Sequence, residues 1–189
     1  VSGNKLNFKL GLPDSKLVVG HGRTLGFDSN PVLAMLDDGV FIANGRIGVM
    51  SSDTAITALY KPDDWLTMTY TKEDGLFGSR GIGKYDTAAA TISKDTGMFF
   101  GSTTIAVSKG GNDRGIVQLS DTVSSMAFKT GVRGKIKDSI DWKFTVSKGL
   151  TPVGGTMTVS YDDRYGQNIN RTVSLRDYTD TKVMLNISY

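Results

Sequence analysis

Apolar and polar residues alternate along most of this chain. Leu6, Phe8, Leu10 and Leu12 alternate with Lys5, Asn7, Lys9 and Gly11. At the far end, Val183, Leu185, Ile187 and Tyr189 fall on one face, and Lys182, Met184, Asn186 and Ser188 on the other. A period of two is the signature of a half-buried β-strand. Similar segments recur between the ends: 40–43, 47–50, 56–60, 65–70, 88–92, 103–107, 140–146, 156–161 and 171–175. Turn formers separate them. Asp37-Asp-Gly39, Pro62-Asp-Asp64, Lys72-Glu-Asp-Gly75, Asp95-Thr-Gly97 and Gly154-Gly155 are the clearest. The pattern predicts about a dozen short strands, with a turn roughly every eight to twelve residues. Residues 30–36, with Asn30 as cap and Pro31 in the first turn, and 121–128 are the only predicted helical segments, both short. Residues 75–85 carry Gly75, Gly78, Gly81 and Gly83, and read as a mobile loop.

The expectation is an all-β fold, an Ig-like β-sandwich, with residues 1–189 forming one domain with elaborated loops. Composition agrees. Glu73 is the only glutamate in 189 residues, against many Thr, Ser, Asp and Gly, a bias away from helix. The net charge is +3, with 22 basic and 19 acidic side chains scattered along the chain. Such a balance gives no nucleic-acid stripe. No apolar run approaches the roughly 20 residues of a membrane-spanning helix.

Candidate chemistry is sparse. The chain has no cysteine and one histidine, His21, so histidine- or cysteine-based catalytic and metal sites lack their parts. The carboxylate pairs Asp37-Asp38, Asp63-Asp64 and Asp162-Asp163 lie at turn positions, where Asp bonds its own backbone. Asp162-Asp-Arg-Tyr-Gly-Gln-Asn168 reads as a hairpin loop. No catalytic residue, metal site or cofactor is expected, and the chain is not read as an enzyme. Tyr60, Trp65, Arg80, Lys84 and Tyr85 are the candidate ligand-binding residues. Aromatic rings stack on the apolar faces of sugars while charged groups bond hydroxyls.

A cysteine-free, Gly/Thr/Asp-rich chain closing with Val183-Met-Leu-Asn-Ile-Ser-Tyr189 resembles the chaperone–usher fimbrial subunits, in particular their cysteine-free branch. The resemblance implies a sandwich that lacks one strand and is completed by a neighbour's strand, a form of β-strand addition. Val183, Leu185, Ile187 and Tyr189 would then line the assembly strand, with their side chains inward. Leu6, Phe8, Leu10 and Leu12 fit either a donor strand or the first strand of the chain's own sheet. The implied role is a structural or adhesive subunit of a bacterial surface fimbria that also binds host glycans. Its partners would be other fimbrial subunits, a periplasmic chaperone and an usher, without nucleic acid or membrane insertion. Its location would be extracellular, reached through the periplasm. Two other readings stay open: a structural protein of a phage virion or tail, and a β-sandwich enzyme acting on glycosides.

Overall fold

The computed structural model describes residues 8–11, 17–22, 39–76, 79–111, 117–136, 140–177 and 181–188. Nearly all of them are strand, as alternation and the wealth of Thr, Val and Ile dictate. The strands are β1 (Phe8–Gly11), β2 (Val18–Gly22), β3 (Gly39–Ala43), β4 (Ile47–Ser51) and β5 (Ala55–Asp63). Then come β6 (Leu66–Leu76), β7 (Ser79–Asp95), β8 (Phe99–Gly111), β9 (Val117–Leu119) and β10 (Thr122–Ile136). The last are β11 (Ile140–Gly154), β12 (Thr156–Asp162), β13 (Asn168–Ser174) and β14 (Thr181–Ser188), with a 3-10 turn at Leu175–Asp177.

The all-β expectation holds, and the strands form two sheets. Eleven of them make one antiparallel sheet in the order β1-β2-β3-β4-β5-β6-β7-β8-β10-β11-β14. The other three, in the order β13-β12-β9, make a small sheet. The large sheet is a meander. From β1 to β8 each strand neighbours the one before it in the chain, and β10, β11 and β14 continue the antiparallel order, so that a large and a small sheet give the expected sandwich-like all-β fold. The chain leaves the large sheet for β9 and again for β12 and β13. Phe8 pairs with His21 and Leu10 with Val19, so the first strand is used within the chain's own sheet. Leu6 and Leu12 lie outside the described residues.

Turn chemistry follows the sequence. The Asn44 side-chain oxygen accepts from the N–H groups of Arg46 and Ile47, and Gly45 takes the left-handed conformation between them. Asp95 accepts from the Gly97 N–H in the β7–β8 hairpin. Asp163 accepts from Tyr165 and Gln167, which makes 162–168 the hairpin loop it reads as.

Three local expectations are corrected. Residues 122–128 are strand, because Val123, Ser125 and Ala127 are buried at a period of two. The 72–75 segment does not end its strand: Glu73 turns inward while Lys72 and Asp74 stay exposed. The 75–85 segment is largely two strand arms, β6 running to Leu76 and β7 starting at Ser79. One glycine makes a bulge. Gly75 has φ 128°, and the β6–β7 register shifts on both sides of it. The predicted helix at 30–36 lies outside the described residues.

The two faces of the large sheet differ. The inner face of β3–β5 holds an apolar cluster of Phe41, Met50, Ala55 and Leu59, with Val18 against it. From β5 to β8 it is made of small side chains. Thr57, Thr71, Thr87 and Ser108 are partners across four consecutive strands, and each is fully buried. Ala89, Ala106, Ala127 and Leu150 continue the inner face into β10 and β11. The small sheet packs at one end of the large one, where Leu119 and Met157 join Leu76, Tyr85 and Val123.

Candidate functional site

On the outer face the same strands carry large apolar side chains in cross-strand rows. Tyr60, Met68, Ala90, Ile105 and Met126 are partners across β5 to β10. Ile105, in the middle of this row, is 59% exposed. A second row runs Ala58, Tyr70, Ala88 and Val107. A third joins Phe99, Val132, Phe144 and Leu185 across β8, β10, β11 and β14. On β3 and β4 the exposed positions are Val40, Ile42, Ile47 and Val49. A soluble monomer rarely exposes so continuous an apolar surface.

Charged residues bound this band at both ends. Lys72, Asp86 and Lys109 are cross-strand partners along one rim. Asp64 and Lys94 stand at the other. Between Asp86 and Lys94 the outward positions of β7 are Ala88, Ala90 and Ile92. Eight residue steps of strand cover about 27 Å. At the roughly 40° tilt usual for barrel strands, that gives about 20 Å of height.

Recesses lie at both ends of the sheet, and the Arg133 end also carries one of about 830 Å³ among Met98, Arg133, Lys135, Asp141, Trp142 and Lys143. Near the small sheet, a cavity of about 670 Å³ lies among Glu73, Asp74, Lys84, Tyr85 and Lys109. Burial and the nearby Asp121 carboxylate push the Tyr85 phenol above its ordinary value of 10.0. At the opposite end, a cavity of about 470 Å³ is lined by Trp65, Asp95, Phe100, Lys129, Arg133 and Lys143. Arg133 donates from one nitrogen to both oxygens of Asp95 at 2.7 Å, and from Nε to the Gly97 carbonyl at 2.7 Å. Lys143 Nζ sits 4.7 Å from the centre of the Phe100 ring, with the Arg133 guanidinium carbon at 5.8 Å.

The candidate ligand residues do not converge. Tyr60 stands on the outer face, half exposed. Trp65 lines the recess at the Arg133 end. Lys84 and Tyr85 belong to the other end, and Tyr85 is buried. Lys84 lies nine residues along β7 from Ser93, whose N–H bonds the Trp65 carbonyl, so about 30 Å of strand separates the two ends. Arg80 lies in β7, and its side chain is outside the described residues. Among the described side chains of this set, only Lys84 and Tyr85 line the same recess.

The expected inward orientation of the last strand is overturned. Val183, Leu185 and Ile187 are each more than 60% exposed and extend the outer apolar band across β14. They point outward because Val146, Phe144 and Trp142, their partners on β11, share a face with Thr130, Val132 and Gly134 on β10. Tyr189 lies outside the described residues. Reading the residues along the chain missed Phe100, Lys129, Arg133 and Lys143. Their only signal was the clustering of cations between 129 and 148, which a linear count spreads evenly. Among the described residues, no group of histidine, cysteine or carboxylate side chains is arranged to hold a metal.

No family model, curated protein or solved structure matches this chain.

Proposed function

We propose that this protein is a β-sheet membrane protein whose outer face meets lipid and whose inner face encloses a polar interior. One observation carries this reading. Across the middle of β5 to β8 the alternation is inverted relative to a soluble sheet, with Tyr60, Met68, Tyr70, Ile105 and Val107 outside and Thr57, Thr71, Thr87, Thr104 and Ser108 inside, while Phe41, Met50, Leu59 and Tyr85 keep the flanks of the inner face apolar. Membrane-spanning barrels have this pattern, because lipid rewards apolar surface while the interior stays wet or polar. A charged rim at each end of the band fits the two aqueous boundaries. No helix among the described residues is long and apolar enough to cross a membrane. Strands would do the crossing, contrary to the sequence-based expectation of no membrane insertion.

A bilayer tolerates no open sheet edge, so this reading requires the edges to be paired. Eleven strands joined by antiparallel ladders leave β1 and β14 running in the same direction. One further strand between them would be antiparallel to both. That vacancy favours a second reading, the fimbrial one, in which a neighbour donates the strand. Its support is β14, which is paired among the described residues with β11 alone.

Reconstitution separates the two. The membrane reading expects the refolded chain to stay with lipid vesicles through alkaline carbonate washing, with β6–β8 protected from protease. A chain that remains a soluble monomer without detergent sinks it. If that monomer is then stabilised by an added peptide of alternating apolar residues, the donated-strand reading takes its place.

A further inference from the structure

We propose that the recess at the Arg133 end of the inner face binds a phosphate-type oxyanion. Its wall carries Lys94, Lys129, Arg133 and Lys143 against two carboxylates, Asp64 and Asp95. Both carboxylates already have cationic partners. Asp95 is held by Arg133 at 2.7 Å, and Asp64 by Lys61 at 3.0 Å. Among the described residues, Lys129 and Lys143 have no carboxylate partner. Lys143 and Arg133 also lie near one ring, both within 6 Å of the Phe100 centre, and they are cross-strand partners. Asp95 balances the Arg133 charge, and the Lys129 and Lys143 charges on the same wall are left for an outside anion to balance.

Geometry adds to charge. The cations come from adjacent strands in fixed register, Arg133 opposite Lys143 and Lys129 opposite Ser102. Ser93 and Ser102 bring hydroxyl donors to the same wall. Ammonium, guanidinium and hydroxyl donors converging on a concave surface suit an oxyanion with several acceptor oxygens. At about 470 Å³ the recess has room for phosphate or for a small phosphomonoester. The inner wall changes character toward this end: in β5 to β8 Thr57 bonds Thr71, Thr87 bonds Ser108 and Thr91 bonds Thr104 at 2.7 Å, whereas Lys129 and Lys143 have no carboxylate partner among the described residues.

Lys129, Arg133 and Lys143 belong to the inner face, so the site stands whether the outer face meets lipid, a partner or water. Trp65 lines the recess and reports on it. In a Trp142→Phe background, iodide is expected to quench Trp65 fluorescence roughly twofold or more better than caesium, because a cationic recess concentrates the anion. Inorganic phosphate should suppress the iodide effect. Lys129→Gln with Lys143→Gln should bring the two quenchers to parity, with circular dichroism unchanged. A parallel titration in micelles doped with a lipid phosphomonoester distinguishes a headgroup from a free solute. Competition by either probe that disappears in the lysine variant supports the site and names its source. Equal quenching by iodide and caesium in the unaltered chain, or phosphate competition that survives the double substitution, would overturn it.

Discussion

The two faces of β5 to β8 share one backbone and differ in almost every side chain. Outside stand Tyr60, Met68, Tyr70, Ile92, Ile105 and Val107, all strongly exposed. Inside, Thr57 bonds Thr71 at 2.9 Å, Thr87 bonds Ser108 at 2.8 Å, and Thr91 bonds Thr104. In water the outer arrangement would be unfavourable, and the inner one would waste a buried face on small polar groups. The pair makes sense when the outer surface is removed from water by something apolar. The inner hydroxyls of Thr57, Thr71, Thr87, Ser108, Thr91 and Thr104 meet their hydrogen-bonding needs in cross-strand pairs.

The outer face gives the largest expected effect. Ile105→Arg, in the middle of the band, should destabilise the lipid-reconstituted protein by about 2–4 kcal/mol, measured by denaturant unfolding in vesicles. In water the same exposed position would respond by no more than roughly 0.5 kcal/mol, so a null result breaks the contrast between the faces. On the inner face, Gly131→Ala should lose about 1–3 kcal/mol. A methyl group there meets the Phe144 carbonyl oxygen and the Phe100 ring, and neither the ladder nor the ring can yield freely. Thr87→Val tests the hydroxyl row. It leaves the fully buried Ser108 hydroxyl without its partner, at an expected cost of about 1–2 kcal/mol in the same unfolding assay.

The smallest effect is one of pH. The Tyr85 phenol is held neutral by burial and by Asp121, so it ionises less readily folded than unfolded. Its contribution is therefore fully present below the unfolded value of about 10 and is lost as pH rises through the higher folded value. Alkaline titration followed by circular dichroism should show weakening above that point, and Tyr85→Phe should blunt it. An unchanged alkaline profile would mean that the phenol is not confined as the inner face suggests.

The strands were legible in the sequence, but the side of the sheet that faces inward was not. Alternation assigns Val183, Leu185 and Ile187 to one face, and the habit of burying apolar residues then points them in. Nothing in a single strand distinguishes a soluble sheet from an inverted one. The distinction rests on the opposite face. Thr57, Thr71 and Thr87 are too small to look like a core until their register sets them side by side. Glu73 escaped for a related reason. Lys-Glu-Asp-Gly reads as a turn, yet it continues the alternation of β6 with only the middle charge inward. The recess residues were harder still. Phe100 meets Arg133 and Lys143 through the pairing of β8, β10 and β11, and partners more than thirty residues away along the chain leave no local pattern.

The meander has a kinetic consequence. From β2 to β8 most strands pair with the strand just before them, and hairpins such as Asn44-Gly45-Arg46 close loops of only a few residues. Short closures are fast and lose little chain entropy. β14 differs, because Thr181 must find Lys148 after the chain has travelled through β12, β13 and the 3-10 turn. The small sheet shortens that search by drawing the ends of the excursion together, with the Arg176 Nε bonded to the Val153 carbonyl at 2.8 Å. Assembly is thus expected to run from the early hairpins outward and to finish at the last strand. An arrested chain would stop one strand short, with β11 as a bare edge.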